Sequence, residues 1–114
     1  MAELSMFRGD YQQFDLRIDD ASGPRDLSAD ELWFTVKRAL ADVDPGIFQK
    51  TKSGGGIAVV SLGLARVTIV PADTSALLVT ERFLYDVQVR ATAGQPRTVD
   101  SGGLTVFADV TRSS

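Results

Sequence analysis

Apolar and polar residues alternate with a period of two along several stretches of the chain. In Gln12–Asp20 ("QQFDLRIDD"), Phe14, Leu16 and Ile18 alternate with Asp15, Arg17 and Asp19. That is the signature of a strand with one buried face. The Asp, Ser, Gly and Pro content of Asp19–Pro24 then supplies a turn. In Arg82–Ala91, Phe83, Tyr85, Val87 and Val89 share one face, and Arg82, Asp86, Gln88 and Arg90 the other. Ala93–Pro96 closes this strand as a hairpin loop. The returning strand is predicted over Arg97–Asp100, with a bulge at Ser101–Gly103, and resumes with Leu104, Val106, Ala108 and Val110 inward. "IAVVS" and "ARVTIV" give two more short strands around Gly63, after the flexible "KSGGG".

Two periods compete in Ser28–Val43. Ser28 and Glu31 have capping-box spacing, and Leu32, Val36, Ala39, Leu40 and Val43 fit a helical stripe. Against this, "LWFTV" is rich in aromatic and β-branched residues, and Leu32, Phe34 and Val36 alternate. The reading adopted is a strand over Glu31–Arg38. Pro71–Leu77 reads as one helical turn, with Pro71 at a first helical position and Asp73 where the backbone dipole favours an anion. About seven short strands with regular turn signals and one helical turn predict an all-β, immunoglobulin-like antiparallel β-sandwich. The expected organisation is one domain over residues 1–114, with a flexible tail over 111–114.

Composition narrows the function. Cysteine and histidine are both absent. No disulfide or thiolate metal site can form, and the usual general base and every Ser-His or Cys-His arrangement are missing. The chain is therefore expected not to be an enzyme, with no catalytic residue, no cofactor and no metal site. Its net charge of −3, from 12 basic and 15 acidic residues along the chain, offers no basic stripe for nucleic acid. No apolar run approaches a bilayer span, and "MAELSMFRGD" has no signal-peptide core, so cytosolic synthesis without membrane insertion is expected.

Three motifs invite a chemical reading. Arg8-Gly9-Asp10 is the tripeptide that integrin-type receptors read. Between Phe7 and the aromatic Tyr11 and Phe14, however, it reads as a structural turn, with Gly9 bending the chain and Asp10 bonding nearby amides. "TKSGGG" (Thr51–Gly56) lacks the residue order of a phosphate-binding loop. "DVDPG" (Asp42–Gly46) lacks the ligands of a calcium loop, and Pro45-Gly46 makes it a β-turn.

Apolar residues on the outer face carry more information. If Phe83, Tyr85 and Val87 point inward, Leu84 points outward, as do Phe107 and Trp33 in their own strands. Folding the hairpin about Gly94-Gln95, with the bulge at Ser101–Gly103, sets Leu84 opposite Phe107. The Trp33 strand is expected beside the Leu84 strand. The three residues then form one apolar patch, an interface candidate.

Several stretches together follow a known pattern: Phe7-Arg8-Gly9-Asp10, Asp20–Leu27 ("DASGPRDL"), Phe34-Thr35-Val36-Lys37, Val70–Thr74 ("VPADT"), Tyr85-Asp86-Val87 and Gly102–Thr111 ("GGLTVFADVT"). The chain resembles immunoglobulin-like domains of tailed-bacteriophage virion proteins, such as the N-terminal domain of upper baseplate proteins and related tail or neck modules. The resemblance implies a non-catalytic docking module in a symmetric oligomer, in a virion assembled from host-cytoplasm products. Its implied partners are further copies of itself and other virion proteins. The alternative is a carbohydrate- or cell-surface-binding module, at a tail tip or as a secreted adhesin, with Trp33 and Tyr11 as the stacking pair.

Overall fold

A computed structural model describes residues 2–20, 23–39, 41–43, 46–91 and 94–108 of the chain. Among the described residues, ten strands and one helical turn follow in order: β1 (Ala2–Phe7), β2 (Gln12–Arg17), β3 (Asp19–Asp20), β4 (Gly23–Pro24), β5 (Glu31–Lys37), β6 (Phe48–Thr51), β7 (Ile57–Ser61), β8 (Leu64–Ile69), α1 (Pro71–Thr74), β9 (Glu81–Arg90) and β10 (Arg97–Phe107). One sheet has the order β1-β10-β9-β5-β6, a second has β2-β8-β7, and β3 and β4 form a small hairpin between β2 and β5. The chain crosses between the two sheets after β1, between β2 and β5, after β6 and after β8. This is an immunoglobulin-like β-sandwich, as the alternation predicts. β1 departs from antiparallel pairing, because it runs parallel to β10 from Ala2↔Gly102 to Phe7↔Phe107.

The core lies between the sheets and is built from the alternating positions. Leu32, Phe34 and Val36 of β5 and Phe83, Val87, Leu104 and Val106 of β9 and β10 are fully buried, facing Ala65, Val67 and Ile69 of β8. Phe34 stacks on Tyr85 at 5.3 Å between ring centroids and meets Phe48 at 6.5 Å. β5 settles the contested segment as strand. Residues two apart lie about 200° apart on a helix, so no helix could bury both Leu32 and Phe34 on one face. Leu27, in the loop before β5, is also fully buried and plugs one end of the sandwich.

The predicted bulge is misplaced. Ser101, Gly102 and Gly103 pair in register with Asp86, Tyr85 and Leu84, and the ladder shifts instead between Thr98 and Asp100. Gly103 instead lies under the Arg82 guanidinium, which would have to move aside for a Cβ there. Ala108 is half-buried, whereas Val110 and the tail over 111–114 lie outside the described residues. The helical turn forms over Pro71–Thr74, and the Asp73 carboxylate accepts the Val70 N–H at 2.8 Å. Lys50, on the inward side of edge strand β6, reaches the same carboxylate at 2.6 Å and closes that margin of the sandwich.

Candidate interaction surface

The outward side chains of the five-stranded sheet form one continuous surface on a hydrogen-bonded ladder. β9 contributes Arg82, Leu84, Asp86, Gln88 and Arg90, and their neighbours follow from the register. Leu84 has Gly103 on one side and Lys37 on the other. Trp33 lies beside Gln88 on β5. Phe107 lies beside Phe7 at the far end of β10, with ring centroids 5.6 Å apart.

Trp33, Leu84 and Phe107 are thus all on the outer face, and the strands of Trp33 and Leu84 are adjacent as expected. The compact patch is not formed, because Leu84 pairs with Gly103, four residues from Phe107. The hairpin does not fold about Gly94-Gln95: Val89 already pairs with Arg97, and the shift at Val99 absorbs a single residue, which brings Leu84 to Gly103. At about 3.3 Å per residue Leu84 and Phe107 stand roughly 13 Å apart along the strands. Trp33 is offset by the same amount in the opposite direction.

Each anchor has its own surroundings. The Arg90 guanidinium lies over the Trp33 ring at 5.4 Å from its centroid, a cation–π contact that leaves the indole half-buried. Leu84 lines a hollow of about 120 Å³ walled by Thr35, Lys37, Asp86, Thr98 and Ser101. That volume suits one side chain and falls below the roughly 300–1,000 Å³ of a metabolite site. Phe107 is 39% exposed and Phe7 54%. Phe7 escapes sequence reading as an anchor, because only the parallel β1–β10 pairing brings it to Phe107. Across Gly103, Glu3 of β1 accepts two bonds from Arg82 of β9, at 2.9 and 2.6 Å. The Arg82 bond holds the Glu3 carboxyl below its usual range.

The turn Arg8-Gly9-Asp10 is structural in every contact described. Arg8 is only 4% exposed, so its guanidinium is closed to a receptor. Its amide donates to Phe107 O at 2.8 Å. Gly9 adopts φ 78°, a conformation that side-chain-bearing residues rarely take. The Gly9 N–H donates to Thr74 Oγ1 at 2.9 Å, and the Asp10 amide closes the turn on Phe7 O at 3.3 Å. "FRGD", "VPADT" and the Phe107 end of "GGLTVF" therefore meet at one end of the sandwich.

The loops at the other end are fastened by charge. The Lys52 ammonium donates to the carbonyls of Leu27, Ser28 and Asp30 at 3.2, 2.7 and 2.9 Å. Arg25 binds Asp30 at 2.7 Å. Burial pushes the Glu31 carboxyl up, but bonds from Ser53 and Leu32 outweigh it and hold the group below its usual range. "TKSGGG" is not a hairpin loop: Thr51 ends β6, and residues 52–56 carry the chain across to β7 in the other sheet. In "DVDPG", Asp42 Oδ2 accepts the amides of Arg38 and Ala39, while Asp44 and Pro45 lie outside the described residues.

Burial, with the nearby Asp100 carboxylate adding to it, pushes the Tyr85 hydroxyl up to about 12. It donates to Asp100 at 3.4 Å, a role in packing. Tyr11 and Trp33 are not brought together: Tyr11 precedes β2 in the smaller sheet and touches Gln13, whereas Trp33 lies on the larger one. Among the described residues no group of three acidic side chains is placed to hold a metal ion. Neither a family model nor a curated protein matches the chain.

Proposed function

We propose that this chain is a non-catalytic docking module of a tailed-bacteriophage virion, in the tail, neck or baseplate, working in a symmetric oligomer. The observation that carries the reading is the outer face of the five-stranded sheet. Four large apolar side chains, Trp33, Leu84, Phe7 and Phe107, stand outward on a fixed ladder. Fully burying a side chain of this kind contributes roughly 1.5–3 kcal/mol, enough for a few anchors to hold an interface. The motif stretches that resemble phage virion domains support the setting, and three of the six meet at a single hydrogen-bonded turn. A sequence with neither His nor Cys is a poor source of a catalyst. Repetition of the contact within a symmetric particle would make even a weak one firm.

The test is the mass of the chain by light scattering, for the wild type and for a variant with Trp33, Leu84 and Phe107 all replaced by Ser. The wild type should be oligomeric and the variant a folded monomer, with unchanged far-ultraviolet circular dichroism. An oligomer of the same mass in both would refute this face as the docking surface.

A further inference from the structure

The anchors on the large sheet are arranged symmetrically. From Leu84, Trp33 lies one strand over towards β6 and four residues along, beside Gln88. Phe107 lies one strand over towards β1 and four residues along in the opposite sense. Each offset is about 14 Å, given strands about 4.8 Å apart and residues about 3.3 Å apart. The two aromatic ends are therefore related by a half-turn about Leu84.

We infer that the partner of this face is a second copy of the same chain, packed face to face about a two-fold axis that passes through Leu84 in the interface plane. This rests on the docking role proposed above and names its occupant. With the axis perpendicular to the Trp33–Phe107 line, Leu84 meets Leu84 in the central hollow. Trp33 of each copy then meets the Phe7–Phe107 pair of the other, twice over. This is the self-complementarity that an isologous dimer requires.

The charges follow the same symmetry. Arg82 and Asp86 stand two residues either side of Leu84 on β9, so the rotation sets Arg82 of one copy beside Asp86 of the other. Lys37 and Glu3 fall nearer the axis and meet their own counterparts, which keeps a single contact weak. The area agrees with a weak contact. The five strands present roughly 600 Å² per copy from the spacings of a sheet, or about 1,200 Å² in all, the lower bound for a stable specific interface.

The absence of cysteine permits a direct test on the whole chain. Leu84→Cys, Trp33→Cys, Phe107→Cys and, on the smaller sheet, Val60→Cys are each treated with a short bismaleimide, since facing sheets lie about 10 Å apart. Leu84→Cys should cross-link to itself about tenfold or more faster than Val60→Cys, because pairing raises the local concentration. Trp33→Cys and Phe107→Cys should each react slowly alone, their own counterparts being roughly 28 Å away. Mixed together they should give a heterodimer, with one of the two aromatic contacts still intact. An oligomer by light scattering without the Leu84→Cys acceleration, or with Trp33→Cys joining to itself, overturns the face-to-face pairing and leaves the docking role standing. A monomer at every concentration, found in no virion, overturns both.

Discussion

The hydroxyl of Thr74 decides whether the turn at Arg8-Gly9-Asp10 holds its shape. Thr74 is completely buried, and its Oγ1 accepts the Gly9 amide across 65 residues of sequence at 2.9 Å. Thr74→Val keeps the shape and removes the acceptor. A buried amide left without a partner costs about 1–3 kcal/mol. Gly9 is half-buried, so water recovers part of that, and the expected loss is about 1–2 kcal/mol. Unfolding entropy of about 2.1 cal/mol/K per residue makes each kcal/mol worth roughly 4 °C for a chain of this length, so Tm should fall by about 4–8 °C. Calorimetry gives the stability, and amide hydrogen exchange followed by NMR gives the local effect. The Gly9 amide should exchange faster in Thr74→Val and stay protected in Thr74→Ser, which keeps the hydroxyl. Wild-type stability in Thr74→Val, with Gly9 still protected, would show that the hydroxyl is not what holds the turn.

Two further outcomes follow from the charged and polar groups. Tyr85 has its folded-state pKa raised from 10.0 to about 12, so its contribution is complete below pH 10 and is lost as pH rises towards 12. Stability should fall by roughly 2 kcal/mol across that window, and the fall should vanish in Tyr85→Phe; an equally steep fall there would sink the assignment. Lys52→Met keeps the stem but frees the carbonyls of Leu27, Ser28 and Asp30, which water can partly reach. It should cost about 1–2 kcal/mol and speed proteolysis of the loop before β5, and an unchanged cleavage rate would contradict the fastening role.

What could be read from the sequence was whatever depends on local alternation. Phe83, Tyr85 and Val87 against Leu84 and Asp86 fixed both the strand and its outward side, and Leu32, Phe34 and Val36 outweighed the helical stripe. Register was less legible. Two adjacent glycines mark a bulge by composition alone, yet both pair in regular register, and the real shift falls at Val99, which carries no special signal. The parallel pairing of β1 with β10 is a contact between the two ends of the sequence. No local pattern encodes it, so nothing in the sequence marks Phe7 as the neighbour of Phe107. The burial of Arg8 follows from that same pairing and from the fold of the loop holding Thr74. Lys52 looks like part of a solvated loop, and only the folded chain places three carbonyls around its ammonium.

The decisive measurement for the proposed docking face is electron cryomicroscopy of the assembly that this chain forms. Copies should be arranged with symmetry, with the outer face of β1-β10-β9-β5-β6 buried in a protein–protein contact and Leu84 near its centre. Copies with that face open to solvent, or joined only through the smaller sheet, would contradict the docking role.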